Sequence, residues 1–154
     1  MDDIKSNIET VKSIVKSMQK SNNPVDVIAV SKTFSADYIL EALNCNIKHI
    51  GESKIQEALP KFEILNGSLK GITKHFIGHL QSNKAKKAVE NFDLIQSLDS
   101  LTLAKDIDKY ANAIGKVQNC LIEVKIAQEP TKTGISPQDF KDFYSQCEEL
   151  PNIL

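Results

Sequence analysis

Lys32 closes the apolar run Val27-Ile28-Ala29-Val30 and lies in Ser31-Lys32-Thr33-Phe34-Ser35, the pattern of a buried strand emptying into a helix start. A lysine in that place has two readings. Burial lowers an amine pKa and raises the free-amine fraction able to attack an aldehyde, which is how Schiff-base lysines are made. Alternatively the stem packs along the strand and the ammonium snorkels into water. His75 and His79 raise a second chemistry, because two histidines four apart on a helix can grip a metal. Phe76-Ile77-Gly78 between them reads as strand and turn, and no third ligand stands at a suitable spacing, so no metal site is expected. Hydroxyls follow two other apolar runs. Ser53, with Gln56 three residues on, fits a capping box but could equally face a ligand; Ser97 ends a later run, and Ser100 fits the cap of the helix after it. Ser82 or Asn83 is the expected cap in the segment after His79.

The elements that must position these groups alternate regularly. Ile4, Ile8, Val11, Ile14, Val15 and Met18 recur at helical spacing, predicting an amphipathic helix over 4–18. Strands are then expected near 26–31, 47–50, 74–78, 93–97 and 117–126. Helices are expected near 36–44, 53–65, 82–91, 100–115 and 137–148. Short strands separated by longer helices imply βαβ units and a parallel α/β sheet. Pattern alone leaves a doubly wound open sheet and a (β/α)8 barrel both standing.

Composition narrows the function classes. The chain has 154 residues, 41% of them hydrophobic, and a net charge of -1, which reads as one globular unit, residues 1–154, without the basic excess of a nucleic-acid binder. No apolar stretch approaches the roughly 18 to 20 residues of a membrane helix, and Met1-Asp2-Asp3 opens unlike a signal peptide, so a cytoplasmic protein with no membrane partner is expected. Cys45, Cys120 and Cys147 are odd in number and lack C-x-x-C spacing; they read as small core or boundary residues. All 19 basic residues are lysine, so the bidentate phosphate clamp that arginine usually supplies is absent.

Taken together, Val30-Ser31-Lys32-Thr33 and His75-Phe76-Ile77-Gly78-His79-Leu80-Gln81-Ser82-Asn83-Lys84 resemble one family, the pyridoxal-phosphate homeostasis proteins. Three further motifs match in order: Gly51-Glu52 with Gln56-Glu57, Ser97-Leu98-Asp99-Ser100, and Glu129 with Lys132 and Gly134. The resemblance implies the barrel of the alanine-racemase N-terminal type, here a (β/α)8 TIM barrel left incomplete at about five βα units. Whole barrels usually take about 250 residues. It implies that a sixth strand would begin near Pro151-Asn152-Ile153-Leu154, and that the absent last third carries the phosphate-binding turn and an arginine facing the pyridine nitrogen. The strands at the two ends, Val27 to Val30 and Cys120 to Val124, are then expected to be open apolar edges.

By the same resemblance the cofactor is pyridoxal 5'-phosphate, held as a Schiff base on Lys32, with Ser53, His79 and Ser97 as further cofactor-binding positions. Ser53 stands where the family most often has asparagine, and Lys125 where it commonly has another asparagine, so Lys125 is not carried over. Glu129, Lys132 and Gly134 are expected on a loop over the pocket mouth. The implied function is vitamin B6 homeostasis by a monomer without established turnover and with no catalytic residue assigned. A racemase-like enzyme or a cofactor-free fragment is the alternative.

Overall fold

Helices and strands form where periodicity changes from 3.6 to 2 along the chain. The computed structural model describes residues 3–20, 22–127, 129 and 133–154. Helix α1 (Ile4–Met18) starts where the Asp3 side chain accepts from the Ser6 amide at 3.0 Å. It is followed by β1 (Ile28–Val30), α2 (Ala36–Asn44), β2 (His49–Glu52), α3 (Ile55–Leu65) and β3 (Thr73–Phe76). Then come α4 (Ala85–Asn91), β4 (Leu94–Leu98), α5 (Leu101–Ala113), β5 (Asn119–Ile122) and α6 (Phe140–Glu148). Ser100 caps α5 as expected, accepting from the Leu103 amide at 3.4 Å. Two other expected caps do not form. Lys54, not Ser53, is the N-cap of α3, and α4 is entered through a 3-10 turn, Ser82–Lys84, with no side-chain cap bond from Ser82 or Asn83.

Among the described residues the five strands are all parallel and lie in the order β1-β2-β3-β4-β5. Consecutive order separates the two candidate architectures, because a doubly wound sheet reverses direction at a switch point and this one does not. The sheet is an arc of a barrel wall, incomplete relative to eight strands. Its outer face carries the apolar core. Phe76 and Ile95 pack there with Ala58, Ala88, Val89 and Ile107 of the surrounding helices, while Ile50 joins Ile39 and Leu65 in a smaller cluster. The Phe92 ring lies edge-on to Phe62 and Phe76, with centroids 5.4 and 5.3 Å away. Val30 and Leu121 are half exposed.

The edge expectation holds on one side only. At the other end β5 is partly covered, because the segment expected to open a sixth strand lies alongside it. Gln118 N donates to Asn152 O, Leu154 N to Gln118 O and Cys120 N to Leu154 O at 2.8–3.0 Å. Farther along, Ile135 exchanges backbone bonds with Glu123 and Lys125, each 2.8 Å. The expected strand over 117–126 thus shortens to four residues with bridges on either side, and Cys120 to Val124 is not an open edge. Cys45, Cys120 and Cys147 are all free thiols, Cys147 buried and the others half-buried, as boundary residues should be. Among the described residues no helix is long and apolar enough to cross a membrane.

Phe92 is fully buried and bridges two other rings, so its truncation removes contacts from both and leaves a cavity in the core. Phe92→Ala is expected to cost about 3–5 kcal/mol, read as a fall in the urea midpoint with the slope unchanged.

Candidate functional site

The C-terminal ends of consecutive parallel strands meet along one rim, which in barrels of this kind is where chemistry gathers. Lys32 lies on that rim, two residues past β1, and its side chain is exposed. Of the two readings of Lys32, the one with its ammonium in water is the one this chain shows. The cause is topological: β1 is an edge strand, and the half-exposed Val30 shares the side of the pleat on which Lys32 would continue. Thr33 follows with a φ of 69°, an unusual value for a β-branched residue.

Sequence reasoning missed the groups that hold this turn. Glu52, the last residue of β2, is fully buried, and its Oε1 accepts from Lys61 Nζ at 2.7 Å and from Ser31 Oγ at 2.8 Å. Lys61 belongs to α3 and also donates to the Ser31 carbonyl at 2.8 Å. Glu52 was visible only as part of a motif, and Lys61 looked like any other helix lysine. An apolar neighbour two residues before Glu52, Ile50 on the same helix-facing side, was the available signal that this carboxylate is buried.

Ser53 and His79 are brought together. They line one cleft of about 180 Å³ with Lys54, Gln56, Gln81 and Lys84, and neither Lys32 nor Ser97 lines it. The two loops touch closely there: a Cβ on Gly78 would overlap the Ser53 carbonyl, so only glycine fits. His79 Nδ1 lies 3.2 Å from Asp99 Oδ2, tying the loop after β3 to the loop after β4. Ser97 is 3% exposed, and its hydroxyl has no hydrogen-bond partner, an arrangement that calls for a polar occupant or water. Gly134 (φ 114°) packs against the backbone of Glu123 and Lys125, and Thr133 Oγ1 donates to Glu123 Oε1 at 3.1 Å. Lys132 lies outside the described residues.

His75 does not pair with His79. It sits in β3, buried, with Nε2 3.0 Å from His49 Nδ1 and Nδ1 2.9 Å from Gln96 Nε2, while His49 Nε2 is 3.6 Å from Asp26 Oδ1. One proton arrangement satisfies the whole row: the Gln96 amide donates to His75 Nδ1, His75 Nε2–H donates to His49 Nδ1, and His49 Nε2–H faces the Asp26 carboxylate. The row borders an open bowl of about 730 Å³. Among the described residues no group of three or more His, Cys, Asp or Glu is placed to hold a metal.

Residues 1–154 match the alanine racemase N-terminal domain family. The chain is 36% identical to the pyridoxal phosphate homeostasis protein of Aquifex aeolicus over 95% of its own length and 63% of that protein. It is 34% identical to the protein of the same name from Buchnera aphidicola over 99% of itself and 68% of that protein. The chain belongs to the pyridoxal phosphate homeostasis family. It spans about three fifths of the length of the Aquifex relative. Among solved structures, PipY of Synechococcus elongatus with PLP bound superposes with a TM-score of 0.85 at 35% identity, over 97% of this chain and 66% of PipY. Alanine racemase from Clostridium difficile, at 13% identity and a TM-score of 0.72, shares the fold. The barrel read from the motifs is thus the family's barrel.

Burial, and after it the neighbouring His49, pushes His75 below the ordinary imidazole value of 6.5; Asp93 and Asp26 oppose the shift. A depressed folded-state pKa means the unfolded chain binds protons first as pH falls. The contribution of His75 to stability is therefore complete above about pH 6.5 and is lost as acidification proceeds toward the folded-state value. Urea midpoints measured from about pH 7.5 down to about pH 5, a window that spans a typical imidazole value, are expected to fall on the acid side. His75→Gln is expected to flatten that limb.

Proposed function

We propose that the chain holds pyridoxal 5'-phosphate through Lys32 and serves vitamin B6 homeostasis as a binding protein, in the cytoplasm and as a monomer. The observation that carries this reading is Lys32 itself, an accessible primary amine on the rim, flanked by an anchored backbone. Its relatives' names and the PLP-bound PipY structure support the same ligand.

In this reading Lys32, Ser53, His79 and Ser97 would hold the carbonyl and ring end of the ligand, with Lys32 and Ser97 outside the cleft that Ser53 and His79 line. The buried Ser97 hydroxyl without a partner is a polar position that a bound group can satisfy. Pyridoxal phosphate supplies an aldehyde that a primary amine captures reversibly. Lys32 Nζ supplies that amine. Asp99 fixes the His79 ring through Nδ1, which leaves Nε2 as the nitrogen turned to a ligand or water. Ser53 contributes a hydroxyl to the same cleft. For the phosphate, backbone amides, hydroxyls and lysines are the donors this sequence offers, since it has no arginine.

Binding without turnover agrees with the distribution of bases. Proton abstraction at an amino-acid alpha carbon requires a second base on the opposite face of the ring. The three tyrosines, Tyr38, Tyr110 and Tyr144, belong to α2, α5 and α6, outside the sheet.

Lys32→Ala is expected to abolish the visible absorption that pyridoxal phosphate gains on covalent capture, and with it any borohydride-trapped adduct at position 32. Stability should stay within about 0.5 kcal/mol, as for an exposed residue without structural partners. An unchanged spectrum in the variant would remove Lys32 from the site.

A further inference from the structure

The residue before Lys32 is held at every polar group it has. Ser31 N donates to Gly51 O at 2.9 Å, its hydroxyl donates to Glu52 Oε1, and its carbonyl accepts from both Lys61 Nζ and the Phe34 amide, the latter at 3.2 Å. Ser31, Glu52 and Lys61 are all buried. A strand of only three residues, paired on a single side, would not by itself fix the chain just beyond its end.

The far side of Lys32 has its own carboxylate. Glu57, on the first turn of α3, bonds Lys54 Nζ at 2.8 Å. That bond holds the Glu57 carboxyl below its ordinary value, and the Thr33 backbone amide acts on it in the same sense. Glu52 thus engages the residue before the lysine and Glu57 the residue after it.

We infer that Glu52 and Lys61 are positioning residues for Lys32: they lock Ser31 so that the Lys32 side chain leaves the rim from a fixed backbone. The inference deepens the proposed function and rests on Lys32 being the residue that captures the aldehyde. Both charges are needed together. The carboxylate orients Ser31 through its hydroxyl, and the ammonium holds the Ser31 carbonyl while neutralising the carboxylate it touches. Lys32 remains free to move at its own Nζ, and only its origin is constrained.

The test is pyridoxal phosphate labelling of the whole 154-residue chain, followed by borohydride. Lys32 Nζ adds to the aldehyde carbon and the carbonyl oxygen leaves as water. Borohydride then delivers hydride to the carbon of the C=N bond while solvent protonates the nitrogen. Peptide mass spectrometry gives the rate at Lys32 relative to the exposed Lys5 and Lys70 in the same sample, a ratio that altered stability of a still-folded chain does not move. Ser31→Ala removes one bond and no charge. Glu52→Gln combined with Lys61→Met removes the pair without leaving a buried ion alone.

Both variants are expected to stay folded by circular dichroism and to lose Lys32 selectivity on the order of tenfold, the scale expected when a reacting group is displaced by about an ångström. Lys32 selectivity equal to the parent in both folded variants overturns the positioning role while leaving the proposed function standing. Failure of the parent to label Lys32 above Lys5 and Lys70 overturns the proposed function and the positioning role with it.

Discussion

Each strand of this sheet pairs only with its neighbours in the chain, in parallel, and that constraint places every group considered above. Parallel neighbours require a crossover between them, and right-handed crossovers put successive helices on one face. Ile50, Phe76 and Ile95 face those helices, and the opposite face carries polar groups such as His49 and His75 beside Ile28, Leu94 and Leu121. All C-terminal strand ends meet along one rim. Lys32, Ser53, His79 and Ser97 come from four different strand ends, and nothing but the shared direction of the strands puts them there.

The order of elements was legible because each carries its own period. Helix α1 was read to the residue, and the ends of β2, β3 and β4 fell within two residues of expectation. Contacts between elements were less legible. The apolar run Val27 to Val30 reads by itself as a buried strand, and only the family resemblance marked it as an open edge, which is where β1 lies, with Val30 half exposed and Lys32 exposed. Whether an apolar strand is central or at an edge depends on which neighbours complete the sheet, and no local pattern records that. The Ser53 cap failed for a related reason. Its carbonyl is pressed against Gly78 from the next loop, and a long-range backbone contact outweighed a local capping preference.

The row from Asp26 through His49 and His75 to Gln96 illustrates the freedom of the second face. His49, His75 and Gln96 belong to three adjacent strands, and each is separated by two positions or fewer from a residue of the apolar clusters, Ile50, Phe76 and Ile95. Alternation alone would allow any polar residue there. Their mutual hydrogen bonds require more, because a buried imidazole must find both a donor and an acceptor, and the parallel register supplies them from the neighbouring strands.

The Glu52–Lys61 pair poses the opposite problem, since it stands among the helix-facing residues where apolar side chains would serve. Removing two charges from water costs several kcal/mol for each ion, and a well-packed apolar pair is often as stable or more so. One carboxylate oxygen, Oε2, even lacks a hydrogen-bond partner. Stability is therefore a weak reason for this arrangement. Direction is a better one. An apolar pair fills space without choosing an orientation for its neighbour, whereas the two charges bind the hydroxyl and the carbonyl of Ser31 at fixed angles. The backbone beneath Lys32 is then ordered before any ligand arrives, and the entropy of ordering it is spent in folding and not in binding.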